Sequence, residues 1–393
     1  MLTADRTMVR ISESVVTLIA QKIDVRQATL SDREAIFDFI AAAYQGREEF
    51  KIPHRWQWQF VDNPFRNAEV GNSEELPIWI AIDRERVIGQ SCAMIEPLQT
   101  AGKECQVGWS VDTVVHSDYR GQGIGLRLQQ ANQDAHDIFM SVGMSAANAR
   151  IKQRLGATVL APLNVMQLRL NYAAENVFQR LRGFSPLAAG SAARTGIDRL
   201  GAIALSRSAR RQWEARAQLH RNKLDALQLE QVDRFDESID GFSERVGNHY
   251  GLIVRRTAEY LNWKFVKQPH VRYAKWIARD EGELCGWLIA RLCERPEPQF
   301  GVIADAFAMP GDDTTLAALL VQAVDYFRSH KVLSVRAATS VDNDRKVYES
   351  LGFKSFRKLI PQCHIKPVVC LADPVNVYLS HGDHDLDQFP RAR

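Results

Sequence analysis

Apolar and polar residues alternate in two short stretches, Ile23-Asp24-Val25-Arg26 and Leu227-Gln228-Leu229-Glu230, each followed by apolar positions three or four apart. Period two predicts a strand and the longer period a helix. The first helix is expected to start at Ser31, which stands three residues before Glu34 in a capping-box arrangement, ahead of Ile36, Phe37, Phe39 and Ile40. Strands are predicted at 77–83, 86–97 and 104–115, and again at 271–279, 284–293 and 300–308. Each group leads into a longer amphipathic helix, marked by Ile124, Leu128, Ala131, Ala135 and Ile138 in the first case and by Leu316 to Phe327 in the second. A strand, a short helix ending at a Leu-Gly pair and a last strand follow. Strands grouped before a helix, without strict alternation, indicate a mixed α/β class.

The two groups are copies. Residues 58–64 read WQFVDNP, and residues 263–269 read WKFVKQP 205 positions later. Downstream, Trp79-Ile80-Ala81, Asp83 and Gly89 are answered by Trp276-Ile277-Ala278, Asp280 and Gly286. Arg154-Leu155-Gly156-Ala157 is answered by Ser350-Leu351-Gly352-Phe353. Three landmarks in one order indicate duplication of a whole domain. The WxFV phrase fits a short helix ending at Pro64 or Pro269, because proline disfavours helical geometry in the residue before it. A chain of 393 residues has room for two cores. The expected division is a domain over 1–184, a basic helical linker over 185–222, a second domain over 223–366 and a polar tail over 367–393.

A net charge of +3 is too small to demand a nucleic acid or an anionic membrane as partner. The linker begins with small residues (Ala188, Ala189, Gly190, Ser191) and continues with Arg207, Arg210, Arg211, Arg216 and Arg221; without aromatics or an RNA motif it reads as a solvated helix. The six cysteines lack CxxC spacing, which suits reduced thiols in a cytoplasmic protein. The apolar run Val15–Ala20 is too short for an export signal or a membrane span.

Candidate chemistry is concentrated at Asp112-Thr113-Val114-Val115-His116-Ser117-Asp118-Tyr119-Arg120-Gly121-Gln122-Gly123-Ile124-Gly125, where a strand runs into a glycine-rich turn that opens a helix. Such a turn lets backbone approach a ligand closely, and the helix start supplies free N–H groups and the positive end of a dipole. With Arg120 this makes a phosphate or pyrophosphate site. It is neither GxGxxG nor a P-loop.

Arg120-Gly121-Gln122-Gly123-Ile124-Gly125 resembles the [QR]xxGx[GA] signature of the GNAT acetyltransferases, with Val115 and Tyr119 also placed as in that family and Ser117 in place of its proline. The resemblance spans the first copy. It implies two tandem GNAT-like domains, each a mostly antiparallel central sheet flanked by helices, and acetyl-CoA as cosubstrate. The amides of Gly121, Gln122, Gly123, Ile124, Gly125 and Leu126 would take the pyrophosphate, and the backbone of Val114 and Val115 would pair with the pantetheine arm. Asn148 resembles the family's cofactor-directed asparagine, and is equally suited to cap a helix.

In the second copy the glycine loop is lost: Asp313 faces Arg120, Thr314 faces Gly121 and Leu316 faces Gly123. That copy keeps Tyr348-Glu349-Ser350-Leu351-Gly352-Phe353, which matches the family phrase whose tyrosine protonates the leaving thiolate, whereas Lys152 holds that register in the first copy. Thiolate protonation is open among Tyr119, Lys152, Tyr348 and water. Asp112 is placed to handle the acceptor amine as catalytic residue, or to bond backbone at a strand end. His54, Arg55, Trp56 and Trp58 fall in the region that lines the acceptor side in similar proteins, or in the core. The tail Ser380-His381-Gly382-Asp383-His384-Asp385-Leu386-Asp387 reads as a solvated polar segment, and no metal is assigned to it. The expected activity is N-acetylation of a small-molecule amine or amino sugar, catalysed by the first copy. The alternatives are a non-catalytic acetyl-CoA-binding protein and a tRNA-dependent aminoacyl transferase of related tandem fold.

Overall fold

The strongest alternating stretches pair into two twisted sheets. The computed structural model describes residues 23–46, 48–66, 74–100, 102–172, 191–293, 300–369 and 376–388. Val15–Ala20, Ala188–Gly190 and Cys370 lie outside the described residues.

The first part of the chain supplies β1 (Asp24–Thr29), α1 (Arg33–Ala43), β2 (Glu75–Asp83), β3 (Arg86–Thr100), β4 (Lys103–Val115), α2 (Ile124–Asp134), β5 (Ile138–Ser141), α3 (Ala146–Arg154), β6 (Thr158–Val159) and β7 (Leu163–Arg169). A long helix, α4 (Ser191–Ala226), leads to β8 (Gln228–Gln231), α5 (Asp240–Gly247), β9 (Leu252–Val254), α6 (Ala258–Phe265), β10 (Tyr273–Asp280), β11 (Glu283–Cys293), β12 (Phe300–Ala308) and α7 (Asp313–Ser329). The chain closes with β13 (Ser334–Thr339), α8 (Asp342–Ser350), β14 (Lys354–Leu359), β15 (Gln362–Ile365) and β16 (Val377–Tyr378).

One sheet runs β1-β2-β3-β4-β5-β15-β6, with β9 also on β3, and the other runs β14-β7-β13-β12-β11-β10-β8. Both are antiparallel except at β4/β5 and β12/β13, with a further parallel pair at β9/β16. The halves exchange their last strands. β7 inserts between β13 and β14, and β15 inserts between β5 and β6. Residues 163–169 therefore belong to the second sheet and residues 362–365 to the first, so the sheets do not coincide with two sequence segments.

The duplication explains the repeated phrase. A short helical turn, His54–Trp56, leads into a π-helical segment, Gln57–Val61, in and beyond which WQFVDNP lies, and WKFVKQP lies in and beyond α6. Trp58 and Trp263 stack on each other with ring centroids 4.9 Å apart, and each indole N–H donates to the other's backbone carbonyl, at 2.9 and 3.3 Å. The two copies thus meet around a pseudo-two-fold at their own repeat.

One core fills the space between the sheets and holds both tryptophans. A second lies between the outer face of the second sheet and α4 with α7, and a third between the first sheet and α2. Gly89 and Gly286, paired across the duplication, leave room for the helix packed on each sheet: a Cβ would meet Leu128 Cδ1 of α2 at 3.0 Å at the first, and Phe307 O at 2.5 Å and Leu319 Cδ1 of α7 at 3.1 Å at the second.

Four expectations are corrected. The capping box is Thr29 with Asp32, not Ser31 with Glu34: the Asp32 carboxylate accepts from Thr29 N at 2.8 Å and is fixed by Arg26 at 2.6 and 2.8 Å. Ile138 lies in β5, not in the preceding helix, which ends at Asp134. The linker helix is not wholly solvated, since Trp213, Ala217 and Leu224 are buried in the second core. The tail is not solvated either, as described next.

Candidate active site

β4 pairs with β5 only at Gly108 and Trp109; beyond them β4 runs on to Val115 while β5 stops at Ser141. The two strands part, and one edge of residues 110–115 faces the gap. On the other edge Val114 and Val115 pair with Gln90 and Gly89 of β3. The register slips between Cys92 and Gln90, and Asp112 in that bulge has φ 48°, a left-handed conformation that aspartate tolerates better than most residues.

The glycine-rich turn follows. Gly121 and Gly123 have φ 82° and 77°, which other residues adopt only with strain, and a Cβ at either would meet nothing within 4 Å. The cradle is open. Gly123 is the N-cap of α2 and has no side chain to occupy the free amides. The Leu126 amide, expected to reach a ligand, already donates to Gly123 O at 3.1 Å. Arg120 ties the turn by donating from Nε to Val115 O at 3.2 Å. Open space, a free strand edge and an uncapped helix start with glycine at its cap fit the pyrophosphate and pantetheine of a coenzyme A ester. The second half differs: Asp312 caps α7 with its own carboxylate, accepting from Thr315 N at 3.0 Å and placing a negative charge where an anion would sit.

At the parted strands lies a cavity of about 260 Å³, lined by Asp112, Asn148 and Lys152 from the first half, Arg336 and Arg357 from the second, and His384 from the tail. Asn148 is not a helix cap. Ser145 takes that role in α3 by accepting from the Asn148 amide at 3.3 Å. Lys152 is 3% exposed, and its Nζ has no hydrogen-bond partner among the described residues; it lies 4.1 Å from the centroid of the Phe139 ring. Burial without a counter-charge lowers its pKa to about 7. Asp112 forms an ion pair with Lys51, itself buried. The duplication repeats that pair in the second half, where Arg256 holds Asp305 at 3.0 Å.

The other sequence candidates stand elsewhere. Tyr119 donates its hydroxyl to Asp83 at 2.7 Å, outside the cavity lining. Tyr348 packs on Phe353 in the second core, and burial raises its phenol far above the usual range. Trp56 and Trp58 are core residues and His54 is exposed. Arg55 is buried and holds the tail, donating to Asp385 at 3.0 Å and to Gln388 at 2.7 Å.

The tail is the part that sequence reasoning missed. Residues 380–388 thread between the sheets: Asp383 pairs with Arg256 at 2.7 Å, and Gly382 N donates to Ala304 O at 2.8 Å. The His384 ring faces an oxygen at each nitrogen, Asp385 Oδ1 at 2.7 Å and Ser110 O at 3.3 Å, and stands edge-on to Trp109. The only sequence signal was the density of ionisable groups, whose partners lie far away along the chain. Among the described residues no group of three or more His, Cys, Asp or Glu is arranged to hold a metal, and no helix is long and apolar enough to cross a membrane.

Residues 24–157 match the acetyltransferase (GNAT) domain model. The match assigns that stretch, the sheet and helices of the first half, to the acetyltransferase (GNAT) domain. Solved structures agree on the fold. A GCN5-related N-acetyltransferase from Anabaena variabilis superposes with a TM-score of 0.56 at 10% identity, over 88% of this chain and 74% of that one. A putative acetyltransferase from Pyrococcus horikoshii gives 0.51 at 11%, over 93% and 96%. N-myristoyltransferase from Saccharomyces cerevisiae, solved with myristoyl-CoA, gives 0.51 at 13%, over 89% and 81%. No curated protein matches the chain. The chain has two GNAT-like sheet-and-helix halves, and its matched domain places it with the acyltransferases.

Proposed function

We propose that the chain transfers an acetyl group from acetyl-CoA to the amine of a small molecule or amino sugar, in the cavity of the first half. The observation that carries this reading is Lys152: a buried, unpartnered amine facing the cavity at the head of the parted strands, with a pKa brought down to about 7. Acetyl-CoA would supply an activated thioester. Residues 121–125 would bind its pyrophosphate and the edge of Val114 and Val115 its pantetheine arm, with Asn148 beside them. Asp112 would orient the incoming amine and accept, through a water, the proton it loses as the C–N bond forms and the C–S bond breaks, with Lys51 holding the carboxylate in place. Lys152, protonated about half the time near neutrality, would give its proton to the departing sulfur. Residues 223–366 would serve as the far wall of the cavity, with no coenzyme site of their own. Incubating the full chain with acetyl-CoA and a panel of amines, and following free thiol and acetylated product, tests the reading; absence of both products overturns it.

The chain is expected to bind one equivalent of coenzyme A, because Asp312 blocks the equivalent helix start in the second half. Gly123→Leu should abolish that binding, since a leucine held at φ 77° is strained by about 1–2 kcal/mol and places a side chain where phosphate must approach backbone. The open surface around Gly123 leaves the rest of the fold intact. Calorimetry reads both: two equivalents, or normal binding by the variant, contradicts the assignment of the loop.

A further inference from the structure

The second-half wall of the cavity is basic. Arg291 of β11, Arg336 of β13 and Arg357 of β14 all reach it from the inner face of the second sheet. Arg291 and Arg336 make other contacts, and they enter only through their charge. Arg336 is 9% exposed and close enough to Arg357 for the two guanidiniums to repel. Asp112 on the lining is held by Lys51, Asp385 by Arg55 at 3.0 Å, and Asp387 by the Tyr273 hydroxyl at 2.5 Å through one oxygen, while its other oxygen is unmet and its charge acts on Arg291, leaving Arg336 and Arg357 as the basic part of the wall.

Two further polar atoms there are unmet. Nε of Arg357 and Nδ1 of His381 are buried with no hydrogen-bond partner among the described residues, and His381 as a whole is only 7% exposed. Stacking of Arg336 over Phe300 and Phe356, at 5.2 and 4.7 Å, accounts for the packing of that side chain but not for these atoms. The Arg357 N–H is a buried unmet donor, and Nδ1 of the neutral His381 ring donates in the tautomer that carries its proton there; with like charges at close quarters this is costly in a low-dielectric site, and an anion relieves it.

We propose that this wall selects acceptors carrying an anionic group, a carboxylate or a phosphate, held by Arg357 and His381 while the amine points toward Asp112. The proposal rests on the acyl-transfer reading for the identity of the ligand as acceptor, but not for the anion site itself.

Calorimetry of the full chain with N-acetylglycine, its neutral amide N-acetylglycinamide, and inorganic phosphate tests the site without turnover. N-acetylglycine or phosphate is expected to bind at least about tenfold tighter than the amide, as charge-assisted bonds exceed neutral ones. Phosphate binding that Arg357→Gln removes, without binding of N-acetylglycine, would assign the group as phosphate, whereas phosphate binding unchanged in that variant belongs to the glycine-rich turn. Arg357→Gln should erase the difference, whereas Arg357→Lys, which keeps the charge, should retain part of it and shows that position 357 tolerates replacement. Equal binding of acid and amide with no phosphate binding, or a difference unchanged in Arg357→Gln, overturns the proposal. Parallel assays with amines bearing a carboxylate and with their methyl esters separate the two readings. Anion preference in binding without transfer to any amine leaves the anion site standing and removes the transfer reading. Transfer with no preference does the reverse.

Discussion

Trp58→Ala is expected to cost about 3–5 kcal/mol of folding stability, the usual range for truncating a buried aromatic. Trp263→Ala should cost a similar amount, since the two rings are 4% and 1% exposed and occupy equivalent places. Because each indole also donates to the other's carbonyl, the variants share one interaction. The double variant should therefore lose less than the sum of the two, by about 0.5–3 kcal/mol, as expected for residues in direct contact. Denaturant titration of the three variants measures this. Strict additivity would mean that the tryptophans are separate anchors and that the pseudo-two-fold contact adds nothing.

Much of this contact was legible. The repeat, the strand limits and the glycine-rich turn are local patterns, set by alternation and by a contiguous run of residues, and they appear within a few residues of where they were expected. The capping box misread shows the limit of such patterns: Thr29-x-x-Asp32 and Ser31-x-x-Glu34 overlap, and the choice is made by Arg26, which clamps Asp32 from the neighbouring strand. The exchange of β7 and β15 was not legible, because an apolar strand carries no mark of which sheet it will join. The tail was illegible for a stronger reason. Its carboxylates are soluble-looking until Arg55 and Arg256, more than a hundred residues away, are seen buried beside them. Lys152 stands between these cases. Its register was visible, but its lowered pKa comes from burial, which is set by packing that the local sequence does not show.

Lys152→Met is expected to slow acyl transfer by about 10²–10⁴-fold while making the protein more stable at neutral pH. The two effects have one cause. An ammonium buried without a partner is disfavoured, so the folded state holds the lysine near pKa 7 while the unfolded chain keeps the ordinary value near 10.5. Between those values the unfolded state binds the extra proton, and stability therefore rises with pH across that window. Below about pH 7 both states are protonated and the full penalty of burying the charge applies. Methionine fills the same volume without a charge, so the variant should gain at least about 1 kcal/mol at pH 7 and lose the pH dependence of stability between 7 and 10. In the acyl-transfer reading the protonated amine is the active form. Turnover by the unaltered chain should then fall as pH rises through about 7, the limb that Lys152→Met abolishes. Tyr348→Phe, by contrast, should leave turnover within a few-fold, since that phenol packs on Phe353 in the core on the far side of the second sheet. Stopped-turnover assays across pH 6–9, run beside denaturant titrations at the same pH values, read both quantities. A stable Lys152→Met variant with unchanged turnover would remove the lysine from the proton path. A collapse of turnover in Tyr348→Phe with its fold intact would move the proton donor to the second half.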